Sequence, residues 1–189
     1  MKLVLYDFDK TIYDGDSSFD FFLFCLRKKP LISLYVPIMF FSIVLYKFRI
    51  INKTKMKEML FLFLKKFNNI DNIIRQFWSV NIKKIKGFYN VKGHKDDIII
   101  SASPEFLLKP VARMFVVKDL ICTKMNKYNG KIKGNNCYGE EKLNRFLKKY
   151  DVDDIYEVYS DSYSDLPLLL NAKKAYFVKG NDIRMYKQK

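Results

Sequence analysis

Two carboxylates stand at the end of a short apolar run, where Leu3-Val4-Leu5-Tyr6 leads into Asp7-Phe8-Asp9-Lys10-Thr11. Side chains alternate along a strand, so Asp7 and Asp9, one residue apart, point the same way. Packing gives no reason to hold two like charges together. Their repulsion has to be offset by a metal ion, or relieved by one of them keeping its proton. A strand followed by a plain polar turn is the competing reading, and three later segments weigh against it. Ile98-Ile99-Ile100 ends in Ser101-Ala102-Ser103-Pro104. Lys142 lies in a helical stretch that begins Glu140-Glu141. Tyr156-Glu157-Val158-Tyr159 runs into Ser160-Asp161-Ser162-Tyr163-Ser164-Asp165, which places two more acids four residues apart at a strand end.

The elements that must position these residues alternate. Strands are predicted over residues 98–101, 155–160 and 175–178, and helices over 104–115, 140–149 and 166–170. Residues 119–126 and 131–134 read as a hairpin around Lys127-Tyr128-Asn129-Gly130, because Asn-Gly is a strong turn signal. Such alternation implies an α/β fold, a Rossmann-like parallel sheet with helices on both faces. Ligands on such sheets bind at the carboxyl ends of the strands, where all four segments fall. Residues 17–89 lack the alternating pattern of strands and read as helical. Ser17-Ser18 is a plausible cap for a first helix carrying Phe19, Phe22, Leu23 and Leu26, which Arg27-Lys28-Lys29-Pro30 ends. Thr54 is a plausible cap for a later helix. The predicted organisation is a core of residues 1–16 and 90–189, with a small all-helical cap, residues 17–89, inserted after the first strand.

Acid pair, hydroxyl, lysine and acid pair, in that order, resemble the four motifs of the haloacid dehalogenase (HAD) superfamily of phosphotransferases, over residues 2–178. The resemblance implies a phosphomonoester hydrolase. Asp7 would be the nucleophile that takes the phosphoryl group as an aspartyl-phosphate. Asp9 would protonate the leaving oxygen and then deprotonate the resolving water. Ser101 and the Ala102 N–H would bind phosphate oxygens, and Lys142 would pair with the phosphate and keep Asp7 ionised. Mg²⁺ is the implied cofactor, held by Asp7, the carbonyl of Asp9 and Asp161, with Asp165 in its outer shell fixing a metal-bound water or Lys142. Thr11 would support the loop by hydrogen bonding, or is a turn threonine. Lys142 read alone is an ordinary helix lysine, and Lys10 has no assigned role.

A helical insertion between the first and second motifs resembles the phosphoserine-phosphatase-like branch. Asp16 falls near the position where that branch reads a substrate amine, although with Asp in place of Glu. The closer resemblance is to the phosphatidylglycerophosphatase C family of lipid-phosphate phosphatases. It rests on Arg27-Lys28-Lys29-Pro30-Leu31 and the apolar run behind it, Ser103-Pro104, Gly139-Glu140-Glu141-Lys142, and Tyr159-Ser160-Asp161-Ser162 with Asp165, Pro167 and Leu168.

Composition fits that resemblance. Of 189 residues 49% are hydrophobic, so the chain is globular, and the net charge is +15. Residues 17–95 hold 16 Lys and Arg against only Asp20, Glu58 and Asp71, so the excess sits in the cap. Residues 31–46 carry no charge and are bordered by Arg27, Lys28, Lys29, Lys47 and Arg49. They are short of the roughly 20 apolar residues of a spanning helix. They mark either a helix buried in the cap or a contact with an anionic membrane surface. The expected partners are a phosphorylated substrate, lipid or amphiphilic, and that membrane. A soluble phosphatase of the phosphoserine type is the alternative, and nucleic-acid binding a remote one, since no motif for it is present. Cys25, Cys122 and Cys137 show no metal spacing and one would be left over in any disulfide scheme, which fits a reduced cytoplasmic setting. Met1-Lys2 leads straight into the strand, so no signal peptide is expected. His94, the only histidine, follows Gly93 in a polar turn and is expected at the surface. Cys122 and the Phe19, Phe22, Phe24 cluster are expected to be packing residues.

Overall fold

Leu3 and Leu5 pack into one apolar cluster and Tyr6 into another, and all three are buried. The first strand is therefore covered on both faces, as its unbroken apolar sequence requires. A computed structural model describes residues 2–90 and 94–188; Gly93 lies outside the described residues. The elements, in order, are β1 (Leu3–Tyr6), α1 (Ser17–Lys28), α2 (Val36–Lys47), α3 (Lys53–Leu60), α4 (Ile70–Asn81), α5 (Gly87–Asn90), β2 (Asp97–Pro104), α6 (Glu105–Met114), β3 (Asp119–Thr123), α7 (Glu140–Leu147), β4 (Ile155–Ser160), α8 (Leu166–Leu169), β5 (Lys174–Lys179) and β6 (Asp182–Gln188).

The strands form one sheet in the order β3-β2-β1-β4-β5-β6. The first five pair in parallel, and β6 runs antiparallel to β5. Phe146, Leu168 and Leu169 cover one face. The other face packs against Leu107, Leu108 and Val111 of α6, and in the same cluster lie Phe21 of α1 and Phe77 and Trp78 of α4. The Trp78 indole N–H donates to the carbonyl of Leu107 at 2.7 Å, tying α4 to α6. The expected parallel α/β sheet with helices on both faces is thus present, and the segment between β1 and β2 is helical.

Several local expectations are corrected. Asp16, not Ser17 or Ser18, caps α1, accepting from the Phe19 N–H at 2.9 Å, while the Ser17 and Ser18 hydroxyls face the Ser103 hydroxyl at 3.2 and 2.9 Å. Asn52, not Thr54, caps α3; the Thr54 hydroxyl accepts from the Asn136 N–H instead. The predicted hairpin is present but short, with the Asn126 N–H on the Lys131 carbonyl at 2.7 Å and the Lys133 N–H on the Lys124 carbonyl at 2.8 Å. Residues 119–123 instead form the parallel edge strand β3, and Met125 and Ile132 bridge across the 127–130 turn. The edge strand β6 was not anticipated; its charged, largely exposed residues carry little strand pattern. His94 is buried rather than superficial, because Asp97 answers its ring nitrogen at 2.8 Å and Tyr89 stacks on it at 4.1 Å.

The uncharged run is a 3-10 turn, Pro30–Tyr35, followed by α2, with Pro37 in the first turn of α2. Ile32, Met39 and Ser42 are buried, while Leu31, Leu34 and Phe40 are 66%, 71% and 69% exposed. The reading of this run as a helix enclosed within the cap is therefore set aside.

Candidate active site

β1 lies at the centre of the sheet with β2 and β4 on either side. Chain connections leave in opposite directions there, which opens a crevice at the carboxyl ends of the strands. Asp7 follows β1 and still donates its N–H to the Tyr159 carbonyl of β4 at 2.9 Å, so its side chain is set by the sheet. Asp9 sits in a tight loop closed by the Ile12 and Tyr13 N–H groups on the Phe8 carbonyl, and Lys10 takes φ 61°. The buried Lys86 amine donates to the carbonyls of Lys10 and Gly180, fastening this loop to the β5–β6 turn.

Lys142, near the start of α7, is buried with its amine 2.7 Å from Asp7 Oδ1 and 2.7 Å from Asp165 Oδ2. Asp165 also accepts from the Ser160 hydroxyl at 2.7 Å. Burial pushes the Asp7 carboxyl up to about 7, against the opposing pull of Lys142. Burial also opposes the charge on Lys142, but Asp7 and Asp165 outweigh it and hold the amine above the ordinary lysine value. The Asp9 carboxylate accepts from the Ser17 N–H at 2.7 Å and from the Ser103 hydroxyl at 2.5 Å. Burial, and next the charge of Asp16, raise its pKa. Asp161 lies in hydrogen-bonding reach of Asp7, and burial raises it too, with Lys10 opposing.

These groups line a cavity of about 700 Å³ together with Ser101, Ala102, Asp16, Ser162 and Ser164. Ser101 is buried, and its Oγ accepts from the Ser103 N–H at 3.0 Å. All the site residues expected from sequence converge here except Thr11. That residue is fully buried and its hydroxyl has no partner among the described residues, so it neither binds the loop nor faces the cavity. Of the two partners expected for Asp165, it meets Lys142, and the Ser160 hydroxyl adds a further hydrogen bond. Phe19 departs from expectation, since it is 58% exposed and lines the cavity; Phe22 packs against the core as expected while also lining the cavity.

The rest of the lining went unread in the sequence. Ser103 could have been found by strand parity with Ser101. Lys53 and Lys57 of α3, and the apolar stripe Val36, Met39, Phe40 and Ile43 of α2, arrive from elements distant in sequence, and no local signal marks them.

The donors suit a hard divalent cation. Asp7 and Asp161 offer two adjacent carboxylates, and the site is oxygen-rich. No three acid, histidine or cysteine side chains among the described residues form a ready cage. Mg²⁺ asks for no more than one or two carboxylates, keeping waters and substrate oxygens as its other ligands.

Comparison with known proteins places the chain. A Mycobacterium tuberculosis protein named a probable phosphatase is 34% identical over an 83-residue alignment that covers 40% of this chain and 29% of that protein's length. A protein of unknown function from Bordetella pertussis has the same fold, with TM-score 0.72 at 20% identity over 92% of this chain and 88% of that one. A phosphoserine phosphohydrolase-like protein from Francisella tularensis gives 0.55 at 20% identity over 93% and 86%. The family model for haloacid dehalogenase-like hydrolases matches residues 4–170, across the whole set of site residues, and the chain belongs to that family.

Proposed function

We propose that the chain is a Mg²⁺-dependent phosphomonoester phosphatase whose substrate is a lipid or other amphiphilic phosphate, of the phosphatidylglycerophosphate kind. Asp7 attacks phosphorus, and the bond to the leaving alkoxide breaks. Asp9, whose raised pKa suits it to hold a proton, gives that proton to the leaving oxygen. Asp9 then takes a proton from the water that cleaves the aspartyl-phosphate. Lys142, braced by Asp165, keeps Asp7 charged and aimed; Ser101 and the Ala102 N–H hold phosphate oxygens. Mg²⁺ bound by Asp7, Asp161 and the Asp9 carbonyl would supply further neutralisation of the phosphate charge.

One observation carries the lipid reading: the catalytic cavity is walled by α2, the same helix that leaves large apolar side chains in solvent. Pro30–Lys47 is long and apolar enough to cross a membrane by composition, and only 17% of it is buried. The 3-10 turn interrupts it, and α2 alone is about 18 Å long, well short of a bilayer core. An interfacial position fits better, with Lys28, Lys29, Lys47 and Arg49 meeting anionic headgroups at about 1 kcal/mol each. On this reading residues 17–89 act as the cap and dock the enzyme on the cytoplasmic face of the membrane. The buried, unpaired thiols of Cys25, Cys122 and Cys137 are compatible with that compartment.

A soluble substrate of the phosphoserine type is the second reading. It is favoured by Asp16, which lines the cavity, and by the likeness to the Francisella protein. Turnover of phosphatidylglycerophosphate and phosphatidic acid in anionic vesicles, set against phosphoserine and sugar phosphates, decides between them. Lipid turnover should exceed the soluble rates by about tenfold or more. Replacing Lys28, Lys29, Lys47 and Arg49 by Gln should release the protein from vesicles and spare a small soluble ester. Equal or better turnover of phosphoserine, or no vesicle binding at low salt, contradicts the lipid reading.

A further inference from the structure

Lys53 and Lys57 are one turn apart on α3, so they share a face, and both line the cavity that holds Asp7 and Asp9. Other lysines of the helical segment have acids beside them, such as Lys55 with Glu58 and Lys84 with Asp20. Neither Lys53 nor Lys57 has a carboxylate in salt-bridge contact among the described residues; Asp9 and Asp16 act on Lys57, and Asp165 on Lys53, only from a distance. The Lys57 amine donates to the carbonyl of Ala102 at 2.5 Å. The Lys53 amine lies over the ring of Tyr138, 2.9 Å from its centroid. A carbonyl dipole and a ring face satisfy hydrogens and weakly attract a cation, but neither cancels a charge. Two like charges four residues apart on a helix repel, and burial adds to that cost. Burial pushes the Lys57 amine down to about 8 and lowers Lys53 as well. The cations demanded by the phosphoryl group are accounted for elsewhere, since Lys142 already sits against Asp7.

We infer that Lys53 and Lys57 form a second anion subsite in the catalytic cavity, so that the substrate carries, beside the phosphomonoester facing Asp7, a further negatively charged group. This rests on the reading of the cavity as a phosphomonoesterase site. The group is a phosphodiester or a carboxylate, two anions that the same pair of ammonium donors can hold. An ester carrying only its phosphoryl group leaves both amines without an anion in direct contact.

Two measurements test it. In the first, kcat/KM is compared for glycerol 3-phosphate, with no second anion, for 3-phosphoglycerate, with a carboxylate, and for the deacylated headgroup of phosphatidylglycerophosphate, with a phosphodiester. The subsite predicts that at least one of the latter two exceeds glycerol 3-phosphate by about 10- to 100-fold, chiefly through KM, and which one identifies the group. In the double variant Lys53→Met, Lys57→Met that ratio should fall to near one. No preference in the wild type, or an equal loss on all three esters in the variant, overturns the subsite, the latter because the lysines would then serve the phosphoryl group itself.

The second measurement is calorimetric binding of glycerophosphoglycerol, a phosphodiester with no phosphomonoester, and of glycerate. Lysine-dependent binding of either supports the subsite even if no ester is hydrolysed, in which case the phosphatase reading alone has failed. Binding that is absent, or unchanged in the variant, counts against the subsite even if hydrolysis is brisk.

Discussion

Replacing Asp7 with Asn should abolish turnover and at the same time stabilise the fold. Burial holds the folded carboxyl up to about 7 although Lys142 is 2.7 Å away, whereas the unfolded chain titrates near the ordinary value of 3.8. The sign follows from proton binding. Below pH 4 both states are protonated, and the buried acid costs nothing. Between pH 4 and 7 the unfolded chain ionises while the folded one resists, so stability falls as pH rises. Above 7 the folded group ionises as well, and the loss levels off. A gap of about three pH units corresponds to roughly 4 kcal/mol, which Asp7→Asn should recover at pH 8 and not at pH 4. In a chain of this size that is roughly 10 °C in Tm. Urea unfolding of wild type and variant at pH 4, 6 and 8, with EDTA present, reads it directly. Mg²⁺ should narrow the difference by stabilising the wild type more than the variant. A variant that is less stable at pH 8, or a difference that does not grow with pH, refutes the reasoning.

Three further outcomes are expected. Asp161→Asn should raise the Mg²⁺ concentration needed for half-maximal activity by about tenfold or more, and an unchanged Mg²⁺ titration would remove it from the metal site. Trp78→Phe loses the buried hydrogen bond to Leu107 and should cost about 1–2 kcal/mol in chemical denaturation; no loss would mean the tie between α4 and α6 is dispensable. Gly130→Ala places a Cβ 2.8 Å from the Phe61 carbonyl oxygen at a φ of +73°, so it should destabilise by about 2 kcal/mol or more, which a Tm shift measures.

The legible part of this site is the part that is local. Asp7 and Asp9 could be read because strand parity fixes their common direction, and Asp161 because it too ends a strand. Lys142 could be read only through the order of motifs, since nothing in its own stretch separates it from Lys148 and Lys149 just after α7. Ser103 reaches Asp9, and Lys57 reaches Ala102, across spans of 94 and 45 residues, and such contacts depend on how the helices close over the sheet. His94 was misread because a polar turn predicts exposure, while the Asp97 carboxylate and the Tyr89 ring make burial tolerable. The fold class followed from alternation, but β6 did not, because an exposed, charged edge strand lacks apolar patterning. The uncharged run 31–46 was visible as unusual; only the packed structure separates a buried helix from one left in solvent.

The central claim is that Asp7 carries the phosphoryl group. Wild-type protein mixed in excess with p-nitrophenyl phosphate and Mg²⁺, quenched in acid during the first turnover and digested, should yield one phosphoryl group on the peptide containing Asp7. That adduct should be lost on treatment with hydroxylamine, as an acyl phosphate is, and should be missing from Asp7→Asn, which should also release no p-nitrophenol. A phosphoryl group on another residue, or near-full turnover by Asp7→Asn, would contradict the account.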